Sequence, residues 1–296
     1  MTLVDPEGVH EVARSLLLRA GVTAPPTPVD DLVVCTGLTL SAHISLDARN
    51  AEHFAAILNV DDLRSALRKA MGILNRRTGE IYTNAAMTPA KNNFVILHEV
   101  GHQALPWQRG LAMHYDDDAT LSDETVSVFE REANLFAADT LFQLERFATD
   151  AADLPLGLPA VLELAKRYRA SVHASLRRYV ESSSTPCFVF VLSNQPVVRA
   201  TTAMYPVVAT HESPAFTLRF PTWTRPRYLP MAHPMFSHVS QGKRIDMEHA
   251  EFTLVEDCIA HDTIAHIINN GHHLLVLLIP QHITGRARRR IVQTRR

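Results

Sequence analysis

Two histidines four residues apart, the first followed directly by a glutamate, stand in the run Asn92-Asn93-Phe94-Val95-Ile96-Leu97-His98-Glu99-Val100-Gly101-His102. On a helix, positions i and i+4 lie one turn apart on one face, so both imidazoles can reach a single cation. Glu99 lies about 100° around the helix from His98, where a carboxylate flanks an open coordination position. This H-E-x-x-H spacing suits a zinc hydrolase. The ion acidifies a water molecule, and the carboxylate takes its proton as the water attacks a carbonyl carbon.

The flanking residues supply the helix that the motif needs. Thr88-Pro89 reads as an N-cap with proline at the first helical position, and Pro106 ends the run. Phe94 to Leu97 is apolar all round, which marks a buried helix. A catalytic zinc usually takes three protein ligands and leaves the fourth position to water. The metzincin extension would put Gly at 105 and His at 108. Leu105 and Gln108 stand there instead and exclude that class.

A glutamate from a second helix is the other common third ligand. From Ser122 to about Leu144 the residues Val126, Phe129, Ala133, Phe136, Ala137 and Leu141 recur at helical spacing. Glu130 sits beside that apolar stripe, with Asn134 one turn further on and able to orient a ligand. Glu132, roughly 200° round the helix from Glu130, is expected to face solvent. The expected site is therefore Zn²⁺ held by His98, His102 and Glu130, with Glu99 as the general base and Asn134 behind the ligands. Tyr82, His114 and Tyr115 are the candidates for stabilising an oxyanion, and none is favoured.

At these residues the chain resembles the ImmA/IrrE family of zinc peptidases. The resemblance rests on His98-Glu99-Val100-Gly101-His102 followed by Glu130-Arg131-Glu132-Ala133-Asn134-Leu135-Phe136-Ala137-Ala138. The second block is similar to the family's E-x-x-A-N/D-x-F-A-A helix, whose first glutamate is the third ligand, and so points to Glu130. Upstream, Ala13 to Leu40 is similar to the family's leading helix, proline-containing linker and first strand. The likeness covers about the first half of the chain. Two departures touch the surroundings of the metal residues. The lead-in Pro89-Ala90-Lys91-Asn92-Asn93-Phe94 lacks the family's arginines, and Leu141-Phe142-Gln143 follows the second helix where a proline is common. The resemblance implies a substrate class, since family members cleave or otherwise inactivate helix-turn-helix repressors in mobile-element and stress regulation.

The chain has 296 residues and a net charge of −2 with histidine neutral. That length allows one large or two modest domains, and the near-neutral balance excludes a general polyanion binder. Cys35, Cys187 and Cys258 are far apart and form no C-x-x-C pair, the usage of reduced thiols in a cytoplasmic protein. Asp5, Glu7 and Glu11 interrupt the region where a signal peptide is basic and then apolar. The apolar run Leu274 to Pro280 is too short to span a membrane.

Along the chain, residues 8 to 20 read as an amphipathic helix. Leu32 to Val34 and Leu38 to Ile44 suggest a helix-to-strand step, and Asp61 to Met71 a further helix. Ile73-Leu74-Asn75 and Ile81-Tyr82-Thr83 read as a hairpin through Arg76-Arg77-Thr78-Gly79. Its edge, near the metal helix, offers a place for a peptide to add as a strand. Asp116-Asp117-Asp118 reads as a solvated loop before the second metal helix. Residues 160 to 168 and 172 to 181 form a basic, helix-turn-helix-like pair without the usual turn glycine. From Cys187 onward, Phe188 to Leu192, Val207 to Ala209, Ala215 to Phe220 and Leu274 to Ile279 are strand-like. His261, His266, His272 and His273 have no ligand spacing, and the basic tail Arg286 to Arg290 with Arg295-Arg296 reads as a solvated end.

The fold class expected is α+β: a zincin-like metallopeptidase domain with paired metal-binding helices, plus a mixed α/β C-terminal regulatory domain, for which the family resemblance implies a GAF-like form. The domains expected are 1–153, a helical 154–185 and 186–296. The function expected is an intracellular zinc metallopeptidase that cleaves one protein partner, a helix-turn-helix repressor, without membrane contact. The alternative is a non-catalytic regulator that docks on a repressor or on DNA through residues 160 to 181, with a structural or vestigial zinc site.

Overall fold

Local chemistry starts the first helix where the sequence changes character. Asp5 accepts a hydrogen bond from the Gly8 N–H at 3.0 Å and Pro6 fills the first turn, so α1 runs Pro6–Arg19. The computed structural model describes residues 4–55, 71–109, 123–236, 249–256 and 259–281. The expected helix over 61–71, the acidic stretch 116–118, His114, Tyr115, Cys258 and the basic tail lie, all but Met71, outside the described residues. The chain divides into two compact units, residues 1–147 with 166–171, and residues 148–165 with 172–296.

In the first unit α1 is followed by α2 (Val29–Cys35), β1 (Thr39–Leu40), α3 (Ala51–Ala55), β2 (Gly72–Asn75), β3 (Glu80–Thr83), α4 (Pro89–Ala104) and α5 (Asp123–Leu141). The three strands lie in the order β1-β3-β2, with β1 parallel and β2 antiparallel to β3. Gly79 closes the β2–β3 hairpin at φ +70°, a conformation that glycine adopts without strain. Phe54, Tyr82, Ile73 and Leu46 form a small core on this side. Helices α4 and α5 pack along each other, and α1 packs on α5. The imidazole of His10 on α1 is paired with the fully buried carboxyl of Asp139 on α5. The Thr27 hydroxyl donates to the carbonyls of Thr140 and Leu141, tying the linker before α2 to the end of α5.

Three helices follow: α6 (Arg146–Ala152), α7 (Leu158–Arg167) and α8 (Val172–Glu181). The turn between α7 and α8 places Arg169 at φ +49°, so a non-glycine residue takes the left-handed conformation there. Helix α8, the candidate recognition helix, packs on the sheet of the second unit and buries Leu176, Tyr179 and Val180. Its Arg177 guanidinium is bound to Glu181 at 2.8 Å. One face and one cation of the helix are thereby occupied within the chain.

The second unit is built on an antiparallel sheet. Its strands are β4 (Phe188–Ser193), β5 (Val197–Arg199), β6 (Thr202–Glu212), β7 (Tyr228–Pro230), β8 (His249–Glu256), β9 (Ile259–Asn269) and β10 (His273–Pro280). They lie in the order β5-β6-β4-β10-β9-β8, with β7 beside β6. Phe188, Phe190 and Leu192 alternate into a core shared with Leu274, Val276 and Leu278 of the neighbouring strand. Phe216, Phe220 and Trp223 cover it. Residues 215 to 220 are expected as a strand but form the helix α9 (Pro214–Arg219). Ser213 accepts from the Phe216 N–H at 3.0 Å and Pro214 sits in the first turn, and these start signals outweigh the β-propensity of a short apolar run. Strands β8 and β9 carry polar residues between the apolar ones and are not marked by composition alone. Among the described residues no helix is long and apolar enough to cross a membrane.

Phe190 is fully buried between Phe188, Trp223 and Phe252. Phe190→Ala should lower the stability of the second unit by about 3–5 kcal/mol in urea unfolding. A loss under 1 kcal/mol would show that this ring is not part of the packing that holds the sheet.

Candidate metal centre

Helix α4 begins where the sequence predicts it, with the Thr88 hydroxyl accepting from the Lys91 N–H and Pro89 in the first turn. It buries Val95, Ile96, Leu97 and Val100 and turns His98, Glu99 and His102 toward α5 and the hairpin. Gly101 lets α5 come close. A Cβ there would lie 3.0 Å from Phe136 Cδ1 and 3.3 Å from Ala133 Cα. A larger residue would push the helices apart.

That approach brings one atom from each of three side chains together. His98 Nε2 and His102 Nε2 lie 3.1 Å apart, and the two carboxylate oxygens of Glu130 lie 3.3 Å from one imidazole each. All three ligand atoms fall within 4.8 Å of one another, and this is the one such group found among the described residues. Both imidazoles are largely buried, whereas Glu130 is half exposed and leaves the group open on one side. Two nitrogens and a carboxylate at this spacing are the donor set of a divalent cation such as zinc.

The second nitrogen of each ring is also occupied. His98 Nδ1 is 3.1 Å from Asn134 Oδ1. His102 Nδ1 is 2.8 Å from Gln108 Oε1, a partner the sequence reading did not find. Gln108 follows the Leu105-Pro106 break, and only the folding back of the chain after α4 carries it beneath His102. Glu132 needs a correction: it is not solvent-facing but 3% exposed. Its carboxylate accepts from Trp107 Nε1 at 2.7 Å, from Gln108 Nε2 at 2.9 Å and from the Asp5 N–H at 3.3 Å. Helical angle alone placed it outside, but α1 and the turn after α4 cover that face of α5.

Electrostatics separates the two glutamates near the imidazoles. Burial pushes the Glu99 carboxyl above the usual range, and the charges of His102 and His98 pull it back only in part. Glu130 goes the other way. Hydrogen bonds to His102 and His98 hold it well below the usual range, against a smaller effect of burial. A raised carboxyl in a dry position suits a proton carrier, and a depressed one suits a ligand. Tyr82 lies in the small core, its hydroxyl donating to Glu80 at 2.5 Å, and burial with that carboxylate pushes its pKa to about 12.

Gly72 opens strand β2 directly against Glu99. A Cβ at that position would lie 2.6 Å from Val95 Cγ1 and 2.7 Å from Glu99 Oε1. Gly72→Ala should therefore destabilise the first unit by about 1–3 kcal/mol. Combined with Val95→Ala it should cost clearly less than the two separate losses together; full additivity in urea unfolding would show that the Val95 methyl is not the atom struck.

Residues 58–179 match the family model described as the IrrE N-terminal-like domain, a peptidase family. Among solved structures, a Mycobacterium tuberculosis transcriptional regulator shares the fold, with a TM-score of 0.53 at 14% identity over 94% of this chain and 92% of that one. No curated protein sequence matches the chain. The matched span takes in both α4 with its paired histidines and α5 with Glu130, so residues 58–179 of this chain are similar to that family's domain.

Proposed function

We propose that this chain is a zinc-dependent peptidase that cleaves one specific protein partner, a helix-turn-helix repressor. One observation carries the reading: His98, His102 and Glu130 converge while a buried Glu99 lies beside them. A structural zinc site needs no such fourth group. In this reading His98, His102 and Glu130 hold Zn²⁺ on a zincin-like pair of helices. The ion supplies Lewis acidity, making a water molecule more acidic and the scissile carbonyl more electrophilic. Glu99 takes the proton of the attacking water and passes it to the leaving amine. Asn134 orients His98.

The substrate class follows from the family rather than from the cleft. The related fold is that of a protein called a transcriptional regulator, which agrees with a regulatory setting. The second unit, an antiparallel sheet with its first strand β4 between β6 and β10, supports a GAF-like sensory role. Cys35 and Cys187 are free thiols, in keeping with a reducing, cytoplasmic compartment. The regulator's name also favours a second reading, a non-catalytic protein that docks on a repressor. Direct reading of DNA by α8 is less well supported, because its apolar face and Arg177 are occupied within the chain.

Metal content and cleavage together separate these readings. Wild type and Glu99→Gln should each bind one zinc per chain, and Glu130→Ala should lose it. Incubated with a helix-turn-helix repressor as candidate substrate, wild type should release two fragments. Glu99→Gln should release none, a loss of at least about 10³-fold, in line with removal of a general base. Cleavage retained by Glu99→Gln would remove the role given to that carboxylate. Zinc bound with no cleavage by wild type would favour the docking protein.

A further inference from the structure

We propose that Gln108, locked by Glu132, is a positioning residue that sets the tautomer of His102 and so presents the Nε2 lone pair to the metal. The inference deepens the peptidase reading and rests on its ligand set of His98, His102 and Glu130. A neutral imidazole carries one proton, and the nitrogen that keeps it cannot bind a cation. Which nitrogen that is depends on what faces the ring.

Gln108 is fully buried and its amide can be oriented in only one way. Its Nε2 lies 2.9 Å from Glu132 Oε2 and 3.2 Å from the carbonyl oxygen of Phe129. The carbonyl can only accept. The Glu132 oxygen already accepts from the Trp107 indole N–H, which can only donate. Both N–H bonds of the amide are therefore directed to acceptors, and a flipped amide would set oxygen against oxygen at both places. Oε1 is left facing His102 Nδ1 at 2.8 Å, so Nδ1 carries the proton and Nε2 is free. That Nε2 points at His98 Nε2 and Glu130, where the cation would lie. The Asp5 N–H completes the set of donors around Glu132, so the start of α1 takes part in holding the relay.

His98 is supported differently. Asn134 is exposed, and no second acceptor is seen on its amide among the described contacts. Its orientation is not forced by neighbours in the way that Gln108 is. The two histidines should therefore differ in how much they depend on their partners, with His102 the more dependent.

Gln108→Leu keeps the volume and removes the acceptor. In the full-length protein, chelator competition should show zinc affinity falling about 10–100-fold, the usual range for loss of such a partner, and further than for Asn134→Ala. In metal-free protein labelled with ¹⁵N-histidine, His102 (assigned by its loss in His102→Gln) should be protonated at Nδ1 in wild type and shift toward the Nε2 tautomer in Gln108→Leu. Gln108→Met, of nearly the same length and likewise without an acceptor, should lose affinity to within about 10-fold of the loss in Gln108→Leu. Should Gln108→Leu fail to fold, Gln108→Met decides alone: weakened zinc binding with a shifted His102 tautomer supports the inference, and wild-type affinity with an unchanged tautomer overturns it. Unchanged affinity and an unchanged tautomer in Gln108→Leu would also overturn it, leaving the ligand set intact. No zinc in wild type would instead remove the peptidase reading, and the tautomer measured in metal-free protein would still decide the role of Gln108.

Discussion

The close approach of two helices at Gly101 is the constraint on which the first unit depends. Imidazoles on α4 and a carboxylate on α5 can meet only if the helix surfaces nearly touch, and the side chain missing at Gly101 is what permits it. Ala133 and Phe136 fill the space on the facing side. The apolar residues on both helices then have a double role. They bury surface, which stabilises the pair, and they fix the spacing between polar groups that have no packing preference of their own.

Holding polar side chains in a buried position normally costs free energy unless each has a partner. The residues around the paired imidazoles satisfy this in layers. The Nε2 atoms and Glu130 face one another, the Nδ1 atoms face Asn134 and Gln108, and Gln108 is held by Glu132 and the Phe129 carbonyl. Glu132 is satisfied in turn by Trp107 and by the backbone of Asp5. Glu99 is the exception: it is buried between α4 and the start of β2, and its carboxyl shifts upward as a result. A buried carboxyl with a raised proton affinity is useful for proton transfer and has no evident value for stability.

The second unit follows a different logic. Its sheet carries an aromatic core of Phe188, Phe190, Phe216 and Trp223. On the other face of β4 and β6, helix α8 contributes His173, whose ring lies within 6.4 Å of His211 and 5.9 Å of His273. Burial, with those two rings and Arg177, presses the His173 pKa down. His211 is in turn 3.4 Å from the Glu181 carboxylate at the end of α8.

Local pattern was enough for the parts of this protein that local forces decide. The capped start of α4 at Thr88-Pro89, the hairpin through Gly79 and the apolar stripe of α5 were all legible, because capping, turn conformation and helical period act over a few residues. H-E-x-x-H named two of the three converging side chains for the same reason, and the period of α5 together with the family likeness named Glu130. Residues 215 to 220 have the β-propensity of a short apolar run, yet the Ser213-Pro214 start makes them helical. Glu132 and Gln108 could not be read at all. Whether Glu132 faces water depends on α1 and the Trp107 turn lying over it, and whether Gln108 reaches His102 depends on the chain doubling back after Leu105. Such contacts join residues that no repeat links, so only the tertiary structure decided them.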